Sequence, residues 1–167
     1  MYHSNNPGGR ALYRPGHFEG VLAVINQFLK KIKPNLLFLG EKDFQQLFLI
    51  KKYLKNNHKS KIIPCKTIRS ANKVALSSRN LLLSKKNLFI AGMISKNLIK
   101  FKKKFKQNEN LKRKILNKKN ELNKMYDINI EYLELRDKNN LLITNKTKHS
   151  KLFIAYYINK VRLIDNF

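Results

Sequence analysis

The sequence predicts an α/β fold followed by a small α+β unit, on three observations. Apolar residues recur at helical spacing in the first third of the chain, and two short apolar runs alternate with them as strands. That helix–strand–helix–strand order is the grammar of an α/β sheet. Beyond Leu83 the character changes to two lysine-rich helices and then a cluster of short strands, the pattern of a separate α+β unit.

Between His17 and Ile32, Phe18, Val21, Val24, Ile25, Phe28 and Leu29 fall at helical spacing, and Pro34 stands where a helix should stop. "NLLFLG" (35–40) is short, apolar and bounded by Pro34 and Gly40, so it reads as a buried strand of a parallel sheet. From Asp43 to Leu54 a helical pattern resumes through Phe44, Leu47, Phe48, Ile50 and Leu54. "KIIPC" (61–65) reads as a second strand. Ser84 suits the N-cap of a long helix, and a second helix is expected over Leu111 to Met125. "INIEYLELRD" (128–137), "NLLIT" (140–144), "KLFIAYYI" (151–158) and "VRLID" (161–165) then read as short strands joined by turns.

The chain is strongly basic, with 36 Lys+Arg against 10 Asp+Glu and a net charge of +26. Such a charge suits nucleic acid or an anionic membrane. The excess is lysine rather than arginine, and Asn and Ile are abundant, as AT-rich codon usage produces at tolerant surface positions. Composition is therefore preferred as its explanation, and neither nucleic acid nor membrane is expected as a partner. Residues 85–124 carry fourteen Lys/Arg and two Glu, which reads as a solvated helical face. The one cysteine, Cys65, excludes an internal disulfide and is expected to be a buried thiol. No stretch reaches the ~18 apolar residues of a membrane span. The segment "MYHSNNPGGRALYRPG" lacks the apolar core of a secretory signal, so the cytoplasm is the expected location.

Two polar constellations interrupt the apolar runs. In "FLGEKDFQQLFLI" (38–50), Gly40 ends a strand, permitting a tight turn and close approach of a ligand to the backbone. The helix expected to begin near Lys42 or Asp43 would offer a positive dipole end, a phosphate site at the carboxyl edge of an α/β sheet. Lys42 would add a point charge. Asp43 would accept hydrogen bonds from ribose hydroxyls or simply cap the helix. Gln46 shares their face at i+3 and i+4, and Gln45 points elsewhere. In "VALSSRNLLLS" (74–84), two hydroxyls and a guanidinium suit an oxyanion or phosphate, and equally suit a capped loop with an exposed arginine.

Together, "RPGHFEGV" (14–21), "KPNLLFLGEKDFQQLFLI" (33–50), "ALSSRN" (75–80), "IEYLELRD" (130–137) and "RLIDN" (162–166) resemble the pantothenate synthetase family in order and spacing. The resemblance implies ATP-dependent condensation of pantoate with β-alanine through a pantoyl-adenylate, aided by Mg²⁺. It also implies a Rossmann-like nucleotidyltransferase domain, here partial over residues 1–67, then a lid over residues 68–167, in a homodimer. By position, Gly40, Glu41, Lys42 and Asp43 would line ATP, with Lys42 on the phosphates and Asp43 on the ribose. Gln46 would hold pantoate, and the helix after Arg14–Pro15–Gly16–His17–Phe18 would help wall its pocket. Ile68 would contact adenine, and Leu76, Ser77, Ser78 and Arg79 would close over the phosphates, so that both clusters meet in one concavity. Lys42, Ser77, Ser78 and Arg79 would stabilise developing negative charge. The family's PTMGxLHxGH-type loop and a second pantoate glutamine have no counterpart here, and Asn72 and Lys73 stand where the family favours Asp-Gly. The expectation is a fragment, a split gene product working with a separate N-terminal half, or a decayed gene. The alternatives are a basic nucleic-acid-binding protein and a non-catalytic remnant.

Overall fold

The computed structural model describes residues 16–107 and 109–167, and the side chains of all of these except 54–56. Arg14 and Pro15 of the RPGHF segment, and the side chain of Leu54, lie outside the described residues. The chain divides between Thr67 and Ile68 into two compact units.

The first unit runs α1 (His17–Ile32), β1 (Leu36–Gly40), a 3-10 turn (Glu41–Asp43), α2 (Phe44–Asn57) and β2 (Lys61–Cys65). Helix α1 ends as expected: Lys33 takes the left-handed conformation, φ 48°, donating its N–H to Leu29 O before Pro34. Strands β1 and β2 pair in parallel, with Leu36 opposite Lys61 and Gly40 opposite Cys65. Leu22 and Leu29 of α1 and Ile50 of α2 form a core that takes in Leu37, Leu39 and Ile62 from one face of the sheet.

Three expectations need correction here. The first strand is not buried: Leu36 and Phe38 are 48% and 62% exposed, because only alternate side chains face the two helices. Cys65 is exposed rather than buried, since the end of a two-stranded sheet has few neighbours to cover it. The third concerns the junction after Gly40. The α-helix begins at Phe44, after one 3-10 turn that contains Lys42 and Asp43.

The second unit contains a 3-10 helix (Ser78–Leu82), α3 (Lys85–Lys103), α4 (Leu111–Tyr126) and strands β3 (Asn129–Asp137), β4 (Ser150–Ile158) and β5 (Val161–Asn166). The sheet is antiparallel in the order β3-β4-β5. Ser84 caps α3, its Oγ accepting from Asn87 N–H at 3.2 Å, and Asn110 caps α4 by accepting from Arg113 N–H. On α3, Ala91, Ile94, Ser95 and Leu98 form the buried stripe; on α4 it is Leu111, Ile115 and Leu122. These meet Leu135, Leu152 and Ile154 of the sheet in a core from which water is excluded. Most lysines of α3 and α4 stay exposed, as a solvated face requires.

Segment 140–144 is not a strand. It makes one isolated bridge, Arg136 to Ile143, because Leu141 turns left-handed at φ 62°. That turn buries the Leu141 side chain and presents its carbonyl to Arg136 Nη1 at 2.6 Å.

Gly92 marks a close approach of α3 to the loop around Asn72. A Cβ there would meet the Asn72 backbone oxygen and side-chain nitrogen, each at 2.9 Å. The expected result for Gly92→Ala is a loss of about 1–3 kcal/mol in urea unfolding, since a backbone atom must move to admit the methyl group. An unchanged midpoint would show that the loop around Asn72 yields freely.

Candidate functional site

In the first unit the polar residues of "GEKDFQQ" stand at the carboxyl ends of two parallel strands, where open α/β sheets bind ligands. Gly40 is extended, with φ −70° and ψ 132°, so the turn itself does not demand glycine. A Cβ at this position would find nothing within 4 Å, so the space beside the turn is open. Glu41, Lys42 and Asp43 form the 3-10 turn, and Lys42 Nζ lies 4.0 Å from Asp43 Oδ2. Both side chains are partly exposed, at 20% and 39%. One turn on, Gln46 is half-buried, whereas Gln45 is buried at 5%. At the opposite end of the sheet a groove of about 690 Å³ opens beside Lys33, Asn35, His58 and Ser60. None of the sequence-derived candidates lines it.

In the second unit the candidates form one short structure. Arg69 bridges Ala75 in antiparallel fashion, and Leu76 donates its N–H to Ile68 O at 3.0 Å. Ile68 and Leu76, eight positions apart in sequence, thus stand side by side at the mouth of a small hairpin, 71% and 52% exposed. Ser77 follows and caps the 3-10 helix, its Oγ accepting from Arg79 N–H at 3.3 Å. Ser78 is exposed, and Arg79 Nη1 donates to Arg162 O at 2.9 Å. The Asn80 side chain closes the loop by donating to Ala75 O at 3.0 Å. So the capped-loop reading of Ser77 holds locally, and Ile68, Leu76, Ser78 and Arg79 are exposed along the same edge of the unit.

Sequence reasoning did not identify what holds that edge. Arg69 donates to both Asp165 oxygens, at 2.6 and 2.8 Å, and to the carbonyls of Lys73 and Asn166. A lone arginine paired across most of the unit leaves no local signal. Its trace was the "RLIDN" segment, which contains Asp165. Among the described residues, no group of three or more His, Cys, Asp or Glu is placed to hold a metal. No helix among them is long and apolar enough to cross a membrane.

The family model described as Pantoate-beta-alanine ligase matches residues 8–167. The chain is 44% identical over 159 residues to a pantothenate synthetase of Azobacteroides pseudotrichonymphae, covering 92% of this chain and 56% of the relative. With a pantothenate synthetase of Flavobacterium psychrophilum it shares 38%, at the same coverages. It thus spans little more than half the length of these curated relatives. Among solved structures, the pantoate-beta-alanine ligase of Francisella tularensis, complexed with beta-gamma ATP and beta-alanine, is similar with a TM-score of 0.72 and 36% identity. That match covers 95% of this chain and 53% of the other. Pantothenate synthetase from Thermus thermophilus shares the fold, with a TM-score of 0.87 at 24% identity, over 97% of this chain and 60% of the other.

Proposed function

The chain belongs to the pantoate-beta-alanine ligase family, and we propose that it supplies part of the site that condenses pantoate with β-alanine at the expense of ATP. The observation that carries this reading is the strand–turn–helix of Gly40 to Gln46, which puts a cation and two carboxylates at the carboxyl edge of a parallel sheet. In this reading residues 1–67 are the ATP- and pantoate-binding part, and residues 68–167 the lid. The relative from Francisella tularensis, complexed with beta-gamma ATP and beta-alanine, supports it.

The chemistry runs in two steps. A pantoate carboxylate oxygen attacks the α-phosphorus of ATP, forming pantoyl-adenylate as the bond to diphosphate breaks. The β-alanine amine then attacks the acyl carbon, releasing AMP and a proton. Negative charge grows on phosphoryl oxygens in the first step. Lys42, Ser77, Ser78 and Arg79 are assigned to its stabilisation, and need form no covalent bond. Gly40 and Glu41 would line the nucleotide, Asp43 would hold the ribose, Ile68 would face adenine, Leu76 would close over the phosphates, and Gln46 would hold pantoate. Mg²⁺ would neutralise the polyphosphate. Such an ion would be held largely by the substrate phosphates with one or two carboxylates, so the absence of a three-residue cluster among the described residues does not oppose it. A homodimer in the cytoplasm, completed by the rest of the family's length on this or a separate polypeptide, belongs to the same proposal.

The test is ligand protection of the chain. ATP is expected to raise the melting temperature, and Lys42→Met and Arg79→Met should each weaken ATP binding about tenfold, the loss of one charge-assisted contact. Binding that depends on both residues would support the assignment of both clusters to ATP. Should random duplex DNA protect the chain in a salt-dependent way while ATP does not, the basic-protein alternative would replace this reading.

A further inference from the structure

We propose that Asp165 is a positioning residue for the nucleotide loop, holding the hairpin from Ile68 to Leu76, and with it Ser77 to Arg79, through the Arg69 guanidinium. The inference rests on the reading of that loop as a nucleotide site.

Asp165 lies near the end of β5 and is only 6% exposed. Its two oxygens receive both arms of the Arg69 fork, at 2.6 and 2.8 Å, in the bidentate arrangement that fixes direction as well as distance. The same guanidinium donates onward to Lys73 O at 3.0 Å and to Asn166 O at 3.1 Å, and stands over the Phe167 ring at 5.0 Å from its centre. One planar group thus joins the end of the chain to the turn of a hairpin 96 residues earlier.

That turn needs holding. Lys73 sits at φ 75°, a left-handed conformation unfavourable for a residue with a side chain, and its carbonyl is the one Arg69 grips. The turn closes with Lys73 N–H donating to Ser70 O at 2.8 Å, and the mouth closes with Leu76 N–H donating to Ile68 O at 3.0 Å. Past the mouth, Arg79 donates to Arg162 O, so β5 holds the loop at a second point three residues before Asp165. The "RLIDN" segment thereby gains a role without touching a ligand: its backbone and its aspartate fix the edge that carries Ile68, Leu76 and Arg79.

The experiment compares the full chain with Asp165→Asn, Arg69→Lys and Glu134→Gln. The last weakens a different ion pair of the same unit, Glu134 with Arg136, and reports what mere destabilisation does. Amide hydrogen exchange is read at Ser70, Lys73 and Leu76, and ATP affinity by calorimetry, at a temperature where every variant is folded. Asp165→Asn and Arg69→Lys are expected to speed exchange at these amides and weaken ATP binding, each about tenfold, with Glu134→Gln changing neither. Lysine should not rescue, because a single ammonium cannot reproduce the fork. Equal exchange in Asp165→Asn and Glu134→Gln would overturn the proposal. So would a loosened hairpin with unchanged ATP affinity. If the unaltered chain binds no ATP, the nucleotide reading fails, and the exchange data alone still decide whether Asp165 holds the hairpin.

Discussion

Incubated alone with ATP, pantoate and β-alanine, these 167 residues are expected to release AMP at least about ten-thousandfold more slowly than a full-length relative. The chain spans 56% of the Flavobacterium relative, and no counterpart of the family's two-histidine loop or second pantoate glutamine occurs among its residues. Each lost charge-stabilising contact costs about 3 kcal/mol in the transition state, or about a hundredfold, and at least two are involved. Residues acting as a unit do not add simply, so the combined loss need not equal the sum of the single ones. The open face of the first unit, with Leu36 and Phe38 exposed, gives the complementary expectation. A separately expressed N-terminal half of a relative should cover that face and raise turnover. Brisk AMP release by the chain alone would show that its own residues complete the site.

Glu131→Ala is expected to destabilise the second unit by about 3–5 kcal/mol, read from chemical denaturation. Glu131 is the extra residue of a β-bulge: Ile130 pairs with Tyr156 and Tyr132 with Ala155, leaving Glu131 outside the ladder. Released from the alternation, it meets Arg162 of β5 across the central strand, accepting from Nε at 2.7 Å and Nη2 at 2.8 Å. Both side chains are nearly buried, at 9% and 12% exposure. The bonds to Glu131, more than its charge at a distance, raise the Arg162 pKa above its ordinary value, so the guanidinium stays charged. Its Nη1 already has no partner among the described residues. Alanine would strand the whole group. Replacing both residues by apolar ones should cost much less than Glu131→Ala alone, and a double variant as unstable as the single one would contradict this account.

The helices were legible because their burial follows a period the sequence displays, as at Ala91, Ile94, Ser95 and Leu98. Their caps were legible where a short polar side chain precedes the run, as Ser84 does. Whether a strand is covered was not legible. "NLLFLG" is apolar throughout, yet burial depends on what lies against each face, and here helices cover one. The same reason exposes Cys65. "NLLIT" has strand composition, but a left-handed Leu141 and a carbonyl taken by Arg136 override it. Nor could the sequence show the bulge at Glu131, since register is a property of two strands together. Of the candidate site, Lys42, Asp43 and Gln46 could be grouped by spacing alone. Roles for Ile68 and Leu76 came only from family likeness, because two isolated apolar residues announce no chemistry.

The exposure of Cys65 has a practical consequence for anyone asking whether the protein pairs with itself. It is the only thiol in the chain, and it is solvent-accessible at the end of β2, opposite Gly40. Air oxidation of such a group joins two molecules covalently. A preparation purified without reductant will therefore contain cross-linked pairs that sediment as dimers, whatever the native association. Mass measurements belong in the presence of reductant or on Cys65→Ser. The same solitary thiol accepts one fluorophore per chain, which would place a reporter beside the Gly40 turn without further engineering.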